Sequence, residues 1–107
     1  MFCYTVTATL SSQEALDPYL DWLSHGHIQA LLPWALDARV IVLDVGSDLP
    51  QVQSTYRFAS RQDFERYQAQ GAPKLQREGK ELAHRLGGIS FTRTLGTEIA
   101  SATRSSF

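Results

Sequence analysis

The chain has 107 residues, a length at which one compact domain is expected. Its 10 Lys and Arg residues nearly balance its 11 Asp and Glu residues, which excludes a protein that holds nucleic acid mainly by electrostatic attraction. The one cysteine, Cys3, excludes an internal disulfide framework and a metal site made of several thiolates. Because no apolar stretch approaches the roughly 18 residues of a membrane span and no leader-like segment begins the chain, we expect a cytoplasmic protein with no membrane partner.

The first predicted element is a strand over residues 2–10, in which apolar and polar side chains alternate with the period of two that a strand requires. The apolar members are Phe2, Tyr4, Val6, Ala8 and Leu10. The polar members are Cys3, Thr5, Thr7 and Thr9. We therefore expect one face of this strand in the core and the other face against water or a partner.

A helix is predicted next, because apolar residues recur at the i, i+3, i+4 and i+7 positions of one helical face. These residues are Leu16, Tyr19, Leu20 and Leu23. Two starts stay open: a capping box at residues 11–14, or Asp17 as the cap before Pro18. Gly26 should interrupt the helix, and Pro33 should end the short helical turn that follows it.

Two further strands are predicted on either side of a hairpin loop. Residues 39–45 are almost continuously apolar, and residues 46–50 have the glycine and proline that are typical of a loop. Residues 51–58 alternate again. The apolar side of this strand carries Val52, Tyr56 and Phe58, and the polar side carries Gln51, Gln53, Thr55 and Arg57.

The second helical region is predicted to begin after Ser60, whose hydroxyl can cap a helix. Residues 71–73 should bend it, and Pro73 can open a further helical segment. The inward side chains are Phe64, Tyr67, Leu75, Leu82 and Leu86. Gly87 is expected as the left-handed cap before a fourth strand over residues 89–95.

The order of elements is β-α-β-β-α-β, which predicts an α+β fold of the ferredoxin-like type. Right-handed crossovers place both helical regions on one face of a four-stranded antiparallel sheet, with the strands in the order 4-1-3-2. We expect this single domain over residues 1–96 and a flexible tail, rich in serine and threonine, over residues 97–107.

The sheet face without helices is predicted to be lined by threonines, amides and Arg57. One interpretation is that this open face contacts water. The other is that it contacts a second sheet, and two sheets stacked in this way would enclose a polar cavity suited to a small molecule.

One series of segments stands out along the chain: Trp22, His27-Ile28, residues 39–44, Tyr56-Arg57-Phe58, Asp63-Phe64-Glu65-Arg66-Tyr67 and Ala72-Pro73-Lys74-Leu75. This series resembles a small bacterial family of unknown function within the dimeric α/β-barrel (ferredoxin-like) superfamily. The resemblance covers residues 1–95, with Gln29 standing where a proline commonly follows the His-Ile pair. It implies a homodimer whose open sheet faces stack into a barrel, and it implies no reaction. Relatives of this architecture include cofactor-independent monooxygenases and lactone isomerases.

Four residues are candidates for ligand binding: His27, Arg57, Trp34 and Thr7. His27 is also a weak candidate for catalysis, against the alternative that it anchors the chain by a hydrogen bond. Arg57 either binds an acidic group of a ligand or forms a salt bridge. Trp34 follows Pro33 and is expected at an interface or the mouth of a pocket, and Thr7 belongs to the polar row of the first strand.

No metal site or cofactor is expected. His25 and His27 are two residues apart, so on a helix they point in different directions, and no further ligand adjoins them at a suitable spacing. The sequence also contains none of the nucleotide-binding or hydrolase motifs that carry recognisable chemistry.

The leading functional interpretation is a homodimer that binds a small ligand or another protein. The alternative is a cofactor-independent enzyme that acts on a small organic molecule. A third interpretation arises because RNA-binding domains share this order of elements and stack bases on aromatic residues of the open face. We expect no nucleic-acid partner, and finding Tyr4 and Tyr56 beneath the helices would argue against stacking of this kind.

Overall fold

The computed structural model describes residues 1–44, 46 and 48–104. Its four strands are β1 (Phe2–Leu10), β2 (Asp37–Leu43), β3 (Gln51–Phe58) and β4 (Ile89–Thr97). Its α-helices are α1 (Leu16–Trp22), α2 (Arg61–Gln70) and α3 (Ala72–Arg85). The strands form one antiparallel sheet in the order β2-β3-β1-β4, which confirms the predicted topology.

The register of the sheet places the predicted apolar rows together on the face that the helices cover. Tyr4 of β1 lies opposite Tyr56 of β3 and Leu95 of β4. Two groups of buried residues fill the space between this face and the helices. One is mainly aromatic and contains Phe2, Tyr4, Tyr56, Phe58, Phe64 and Tyr67. The other is mainly aliphatic and contains Ala8, Leu10, Tyr19, Leu23, Val52 and Leu82.

The opposite, open face carries the polar rows. Thr5 of β1 contacts Thr55 of β3 through their hydroxyls, which are 3.3 Å apart. The β2 strand adds Ile41 to this face, opposite Gln53, and leaves its side chain half exposed. Tyr4 and Tyr56 are buried on the other face, so the aromatic platform that RNA stacking needs is not formed by them.

Two boundaries differ from the sequence predictions. The β2 strand begins at Asp37, two residues early, because Asp37 pairs with Arg57 in the ladder. Its predicted last residue, Val45, lies outside the described residues, as does Ser47 of the predicted loop 46–50. The β4 strand continues to Thr97, where it pairs with Phe2 of β1.

The helix starts show which capping signals are used. Ser60 accepts a hydrogen bond from the backbone N–H of Asp63, as predicted for a helix cap. The capping box predicted at residues 11–14 does not form, because the Ser11 hydroxyl donates instead to the backbone carbonyl of Leu86 at the end of α3. A single helical turn, Gln13–Ala15, precedes α1. Among the described residues, none of the helices combines the length and apolar character that a bilayer span requires.

Candidate functional site

A cavity of about 100 Å³ lies inside the protomer, between the helix-covered face of the sheet and the helices α1 and α3. Its polar side chains include Tyr19, His27, Ser54, Tyr56, Lys80 and Arg93. Its flat apolar walls include Trp22 and Phe91. The sequence predicts a cavity between the open faces of two stacked sheets. The cavity in the structure lies instead on the helix-covered face of the sheet.

His27 reaches the cavity because the helix changes direction just before it. Gly26 has a φ of 146°, a conformation that residues with a side chain rarely adopt, and it interrupts the helical path as predicted. The Ile28 N–H donates to the Leu23 carbonyl across five residues, at 3.2 Å. Such wide helical turns are frequent at functional sites.

The Gln29 side chain closes this turn. Its Oε1 accepts from the Gly26 N–H at 2.9 Å, and its Nε2 donates to the Ser24 carbonyl at 2.7 Å. A proline at this position would offer neither hydrogen bond, so the residue that departs from the expected family pattern is the one that holds the turn.

The His27 ring is partly buried in an aromatic environment. It stacks on Trp22 with ring centroids 4.0 Å apart and planes inclined by 22°. Burial lowers the pKa of His27 from 6.5 to about 4, so the ring is neutral at neutral pH. Its Nδ1 is buried and has no hydrogen-bond partner in the described part of the chain. A buried polar atom without a partner costs about 1–3 kcal/mol, which makes this nitrogen the most conspicuous feature of the cavity.

Tyrosine hydroxyls supply further polar groups around the cavity. Burial raises the pKa of Tyr19 to about 12, and it raises the pKa of Tyr56 and of Tyr67 further. All three phenols are therefore neutral at neutral pH and can donate a hydrogen bond. Ser54 is only 2% exposed and lies near enough to Tyr56 to oppose the rise in its pKa, but its Oγ makes no hydrogen bond of ordinary geometry within residues 1–44, 46 and 48–104.

Arg93 of β4 lies at the exposed side of the cavity. Its Nε donates to the Tyr4 hydroxyl at 3.1 Å, and its guanidinium carbon lies 5.6 Å from the centroid of the Phe91 ring. Its positive charge lowers the pKa of Tyr19 and of Tyr67, although burial outweighs this effect at both residues. Arg93 is therefore electrostatically coupled to the interior of the cavity.

Gly79 leaves space in the cavity wall. It lies within α3, and a Cβ built there would come no closer than 3.7 Å to the Trp22 ring, an ordinary contact distance. Glycine in a helix interior costs roughly 0.5–1 kcal/mol relative to alanine. The missing side chain thus lowers helix stability and widens the space beside Trp22.

The four sequence-predicted ligand residues are not brought together. His27 lines the cavity, whereas Arg57 and Thr7 lie on the open face. Thr7 is half-buried between Gln53 of β3 and Thr92 of β4. The structure therefore separates His27 from the two open-face candidates by the thickness of the sheet.

Arg57 is held by carboxylates on the open face. Its Nε donates to both carboxylate oxygens of Asp37, at 3.0 and 3.1 Å, and its Nη2 also contacts Asp37. A further contact joins its Nη1 to Glu98 at 3.6 Å. Hydrogen bonding to Arg57 lowers the pKa of Asp37. The salt bridge that the sequence left as one interpretation of Arg57 is present within the chain.

Trp34 lies beside α2 and away from the lining of the cavity. Its Nε1 donates to the Gln70 side-chain oxygen at 3.0 Å, and its ring packs 5.8 Å from the Tyr67 ring. A Cβ at Gly71 would come within 2.6 Å of the Trp34 ring. Trp34 therefore fills the space where α2 ends and α3 begins.

Ser54 and Arg93 are not among the residues predicted from the sequence, although the pattern of each strand indicates them. Ser54 stands in the apolar row of β3 between Val52 and Tyr56, and Arg93 stands in the inward row of β4 after Phe91. A polar residue inside an apolar strand row indicates a polar feature beneath the helices. The described residues contain no cluster of three or more histidine, cysteine or acidic side chains that could hold a metal ion.

Comparison with known proteins identifies the fold. No model of a known protein family matches the chain, and no curated protein matches it significantly. Among solved structures, a dimeric ferredoxin-like protein from an uncultured marine organism matches with a TM-score of 0.78 and 13% identity, over 94% of this chain and 97% of that one. A second such protein, also from an uncultured marine organism, matches with a TM-score of 0.64 and 14% identity, over 97% and 100% of the two chains.

A monooxygenase of Streptomyces coelicolor, solved in complex with nanaomycin D, has the same fold. It matches with a TM-score of 0.61 and 15% identity, over 95% of this chain and 92% of that one. At these identities the likeness concerns the fold alone. The chain thus has a ferredoxin-like α+β fold, which confirms the fold predicted from the order of its elements.

Proposed function

We propose that the protein binds a small organic molecule in the cavity between its sheet and its helices. The observation that carries this proposal is the His27 Nδ1, a buried nitrogen without a hydrogen-bond partner in the described chain. Buried polar atoms are nearly always paired in folded proteins, and an unpaired one calls for an explanation. A ligand with a hydroxyl or carbonyl group would supply the missing partner.

The size and walls of the cavity support a ligand with a single ring. An apolar cavity of about 150 Å³ is known to admit benzene, so a cavity of about 100 Å³ with an open side suits a ligand of one ring or smaller. The stacked Trp22 and His27 rings offer a flat surface, and Tyr56 offers a second aromatic wall. Flat aromatic molecules pack well against such walls.

Gly79 gives independent support to the proposal. An alanine would fit beside Trp22 and would stabilise α3, yet the chain has a glycine at this point of the cavity wall. A glycine that lowers stability and enlarges a cavity is typical of a site kept open for a ligand.

Fluorescence of Trp22 tests the proposal, because Trp22 lines the cavity and Trp34 does not. In a Trp34→Phe background, titration with single-ring aromatic compounds should change the Trp22 emission in a saturable way. Gly79→Leu should abolish the change by filling the cavity, whereas Arg77→Leu, an exposed substitution on the same helix, should preserve it. A response that Gly79→Leu leaves intact would contradict the proposal.

A cofactor-independent enzyme that acts on a small organic molecule is the second proposal. It is favoured by the His27 ring in the cavity wall, which is neutral at neutral pH and therefore has one ring nitrogen able to accept a hydrogen bond from a substrate. The structural similarity to a monooxygenase also supports an enzymatic function. Oxygen uptake in the presence of single-ring hydroquinones should exceed autoxidation and fall to that rate in His27→Phe. Equal rates with and without the protein would contradict this second proposal.

We also propose that two copies pair through their open sheet faces. Both marine proteins that share the fold are dimeric, and the open face has no helix over it in the described chain. Half-exposed Ile41 adds an apolar surface to this face. In such a dimer Arg57 and Thr7 would lie at the interface, where their role in binding a ligand stays a prediction. A cytoplasmic location and a bacterial source stay predictions too.

A further inference from the structure

We infer that the ligand of the cavity is a small acid, bound as its anion with the oxyanion beside Arg93. The inference rests on the proposed function, because it names the class of molecule that the same cavity takes. A single-ring carboxylate that also carries a hydroxyl or carbonyl group has the required chemistry, because the carboxylate can pair with Arg93 and the second group with the His27 Nδ1. Three observations support the inference. The charged residues that line the cavity are cationic, Arg93 has hydrogen-bond donors without partners in the described residues, and the other polar groups around the cavity are neutral at neutral pH.

The charged residues that line the cavity are both cationic. Lys80 of α3 and Arg93 of β4 line it, and no aspartate or glutamate does so among the described residues. The chain as a whole has slightly more acidic than basic residues, so the absence of acids here is a local property. A concave site with charges of one sign and low-dielectric walls concentrates ions of the opposite sign.

Arg93 has hydrogen-bond donors without partners in the described residues. Within the described residues, its Nε donates to the Tyr4 hydroxyl, and its two Nη atoms have neither a hydrogen bond nor an ion pair. Arg57, on the opposite face, provides the contrast, since it is held by Asp37 and Glu98. Two strand arginines of one sheet thus differ in what they bind: Arg57 is paired with carboxylates of the protein, whereas Arg93 lines the cavity and has two Nη atoms without a partner in the described residues.

The other polar groups around the cavity do not neutralise this charge. Tyr19, Tyr56 and Tyr67 keep their protons, and His27 carries no charge at neutral pH. They can therefore donate or accept hydrogen bonds without reducing the attraction for an anion. The guanidinium fork also matches a carboxylate geometrically, because two N–H groups can face its two oxygens.

The test compares benzoate with benzamide, a neutral molecule of nearly the same shape. Binding is followed by Trp22 fluorescence in the Trp34→Phe background. At neutral pH we expect benzoate to bind about tenfold more tightly than benzamide. Arg93→Gln should remove this preference by weakening benzoate about tenfold and leaving benzamide within about twofold. Arg93→Lys should retain part of it, and Arg77→Gln, which removes an exposed charge of α3 away from the cavity, should retain all of it.

The outcomes separate this inference from the proposed function. Equal affinity for benzoate and benzamide, with binding still abolished by Gly79→Leu, would overturn the inference and leave the cavity as a ligand site. A benzoate preference that persists in Arg93→Gln would overturn the assignment to Arg93. Failure of both compounds to bind at about 10 mM would count against the proposed function and the inference together.

Discussion

The rings of His27 and Trp22 are stacked 4.0 Å apart at the wall of an internal cavity, and the buried Nδ1 of His27 has no partner in the described chain. Trp22 is on α1, whereas His27 follows the bend that Gly26 allows. The contact therefore depends on a local break in the helix. The same break places the neutral His27 ring in the wall of the cavity, and the proposed ligand site depends on it.

The stability of the protein should fall as the pH is lowered from about 7 to about 4, through the protonation of His27. The folded-state pKa of His27 is about 4 and the unfolded value is 6.5, so the unfolded chain takes up the proton first. The contribution of neutral His27 to the free energy of unfolding is fully present above pH 6.5 and is lost as the pH falls to about 4. It amounts to at most about 3 kcal/mol. Urea unfolding at several pH values measures it.

His27→Phe is the matched control for this pH dependence, because phenylalanine retains a ring to stack on Trp22 and cannot titrate. The variant should lose less stability between neutral and mildly acidic pH than the unmodified chain. It should also be at least as stable at neutral pH, since it removes an unpaired buried nitrogen. Identical pH profiles for the two proteins would contradict the buried, neutral state of His27.

Gly79→Ala should raise stability and weaken ligand binding at the same time. The added methyl group fits 3.7 Å from Trp22, and the helical backbone favours alanine by about 0.4–1 kcal/mol. The same methyl group narrows the cavity, so affinity for a single-ring ligand should fall. Thermal unfolding and a fluorescence titration measure the two effects, and a variant that gains stability without losing affinity would show that Gly79 does not shape the site.

Gly71→Ala should destabilise the protein, because its Cβ would come within 2.6 and 2.7 Å of the Trp34 ring atoms Cζ3 and Cη2. Overpacking of this kind costs about 1–3 kcal/mol. Phenylalanine lacks those two atoms, so the cost should be clearly smaller when Gly71→Ala is made in the Trp34→Phe background. Urea unfolding of the four proteins measures the difference. If Gly71→Ala lowered the free energy of unfolding equally in both backgrounds, the destabilisation would not come from the contact with Trp34.

Ile41→Lys should convert the proposed dimer into a monomer, because Ile41 is half exposed on the open face of β2. The control is Val42→Lys, which introduces the same charge at a comparably exposed neighbour on the other face of the strand. Light scattering at micromolar concentration gives the oligomeric state. A chain that is monomeric before substitution, or dimers in both variants, would contradict pairing through the open face.

Most of the fold could be predicted from the sequence, because alternation and helical spacing report burial directly. The apolar row of β1 predicts which face of the sheet is buried, and the order of helices and strands predicts the strand order. The ends of β2 and β4 were missed, since Asp37 and Thr97 extend the strands through ladder pairing with Arg57 and Phe2. Pairing of this kind depends on the neighbouring strand, which a local pattern does not show.

The site was predicted only in part. His27, a predicted ligand residue, lines the cavity, whereas Arg93 is not among the residues predicted from the sequence; Arg57 is predicted because it stands in a conspicuous polar row. The strand register places Arg57 on the open face and Arg93 on the opposite, helix-covered face, and only the folded sheet shows which acids reach each arginine. The predicted flexible tail over residues 97–107 stays a prediction, and residues 105–107 lie outside the described residues.

The most direct measurement is the detection of nuclear Overhauser effects between benzoate protons and the protein. The account predicts contacts to the ring protons of Trp22 and Tyr56, with saturable shifts of the Arg93 side chain. Contacts confined to open-face residues such as Thr7 and Arg57 would contradict the cavity as the binding site. The absence of contacts to Trp22 under conditions of saturable binding would do the same.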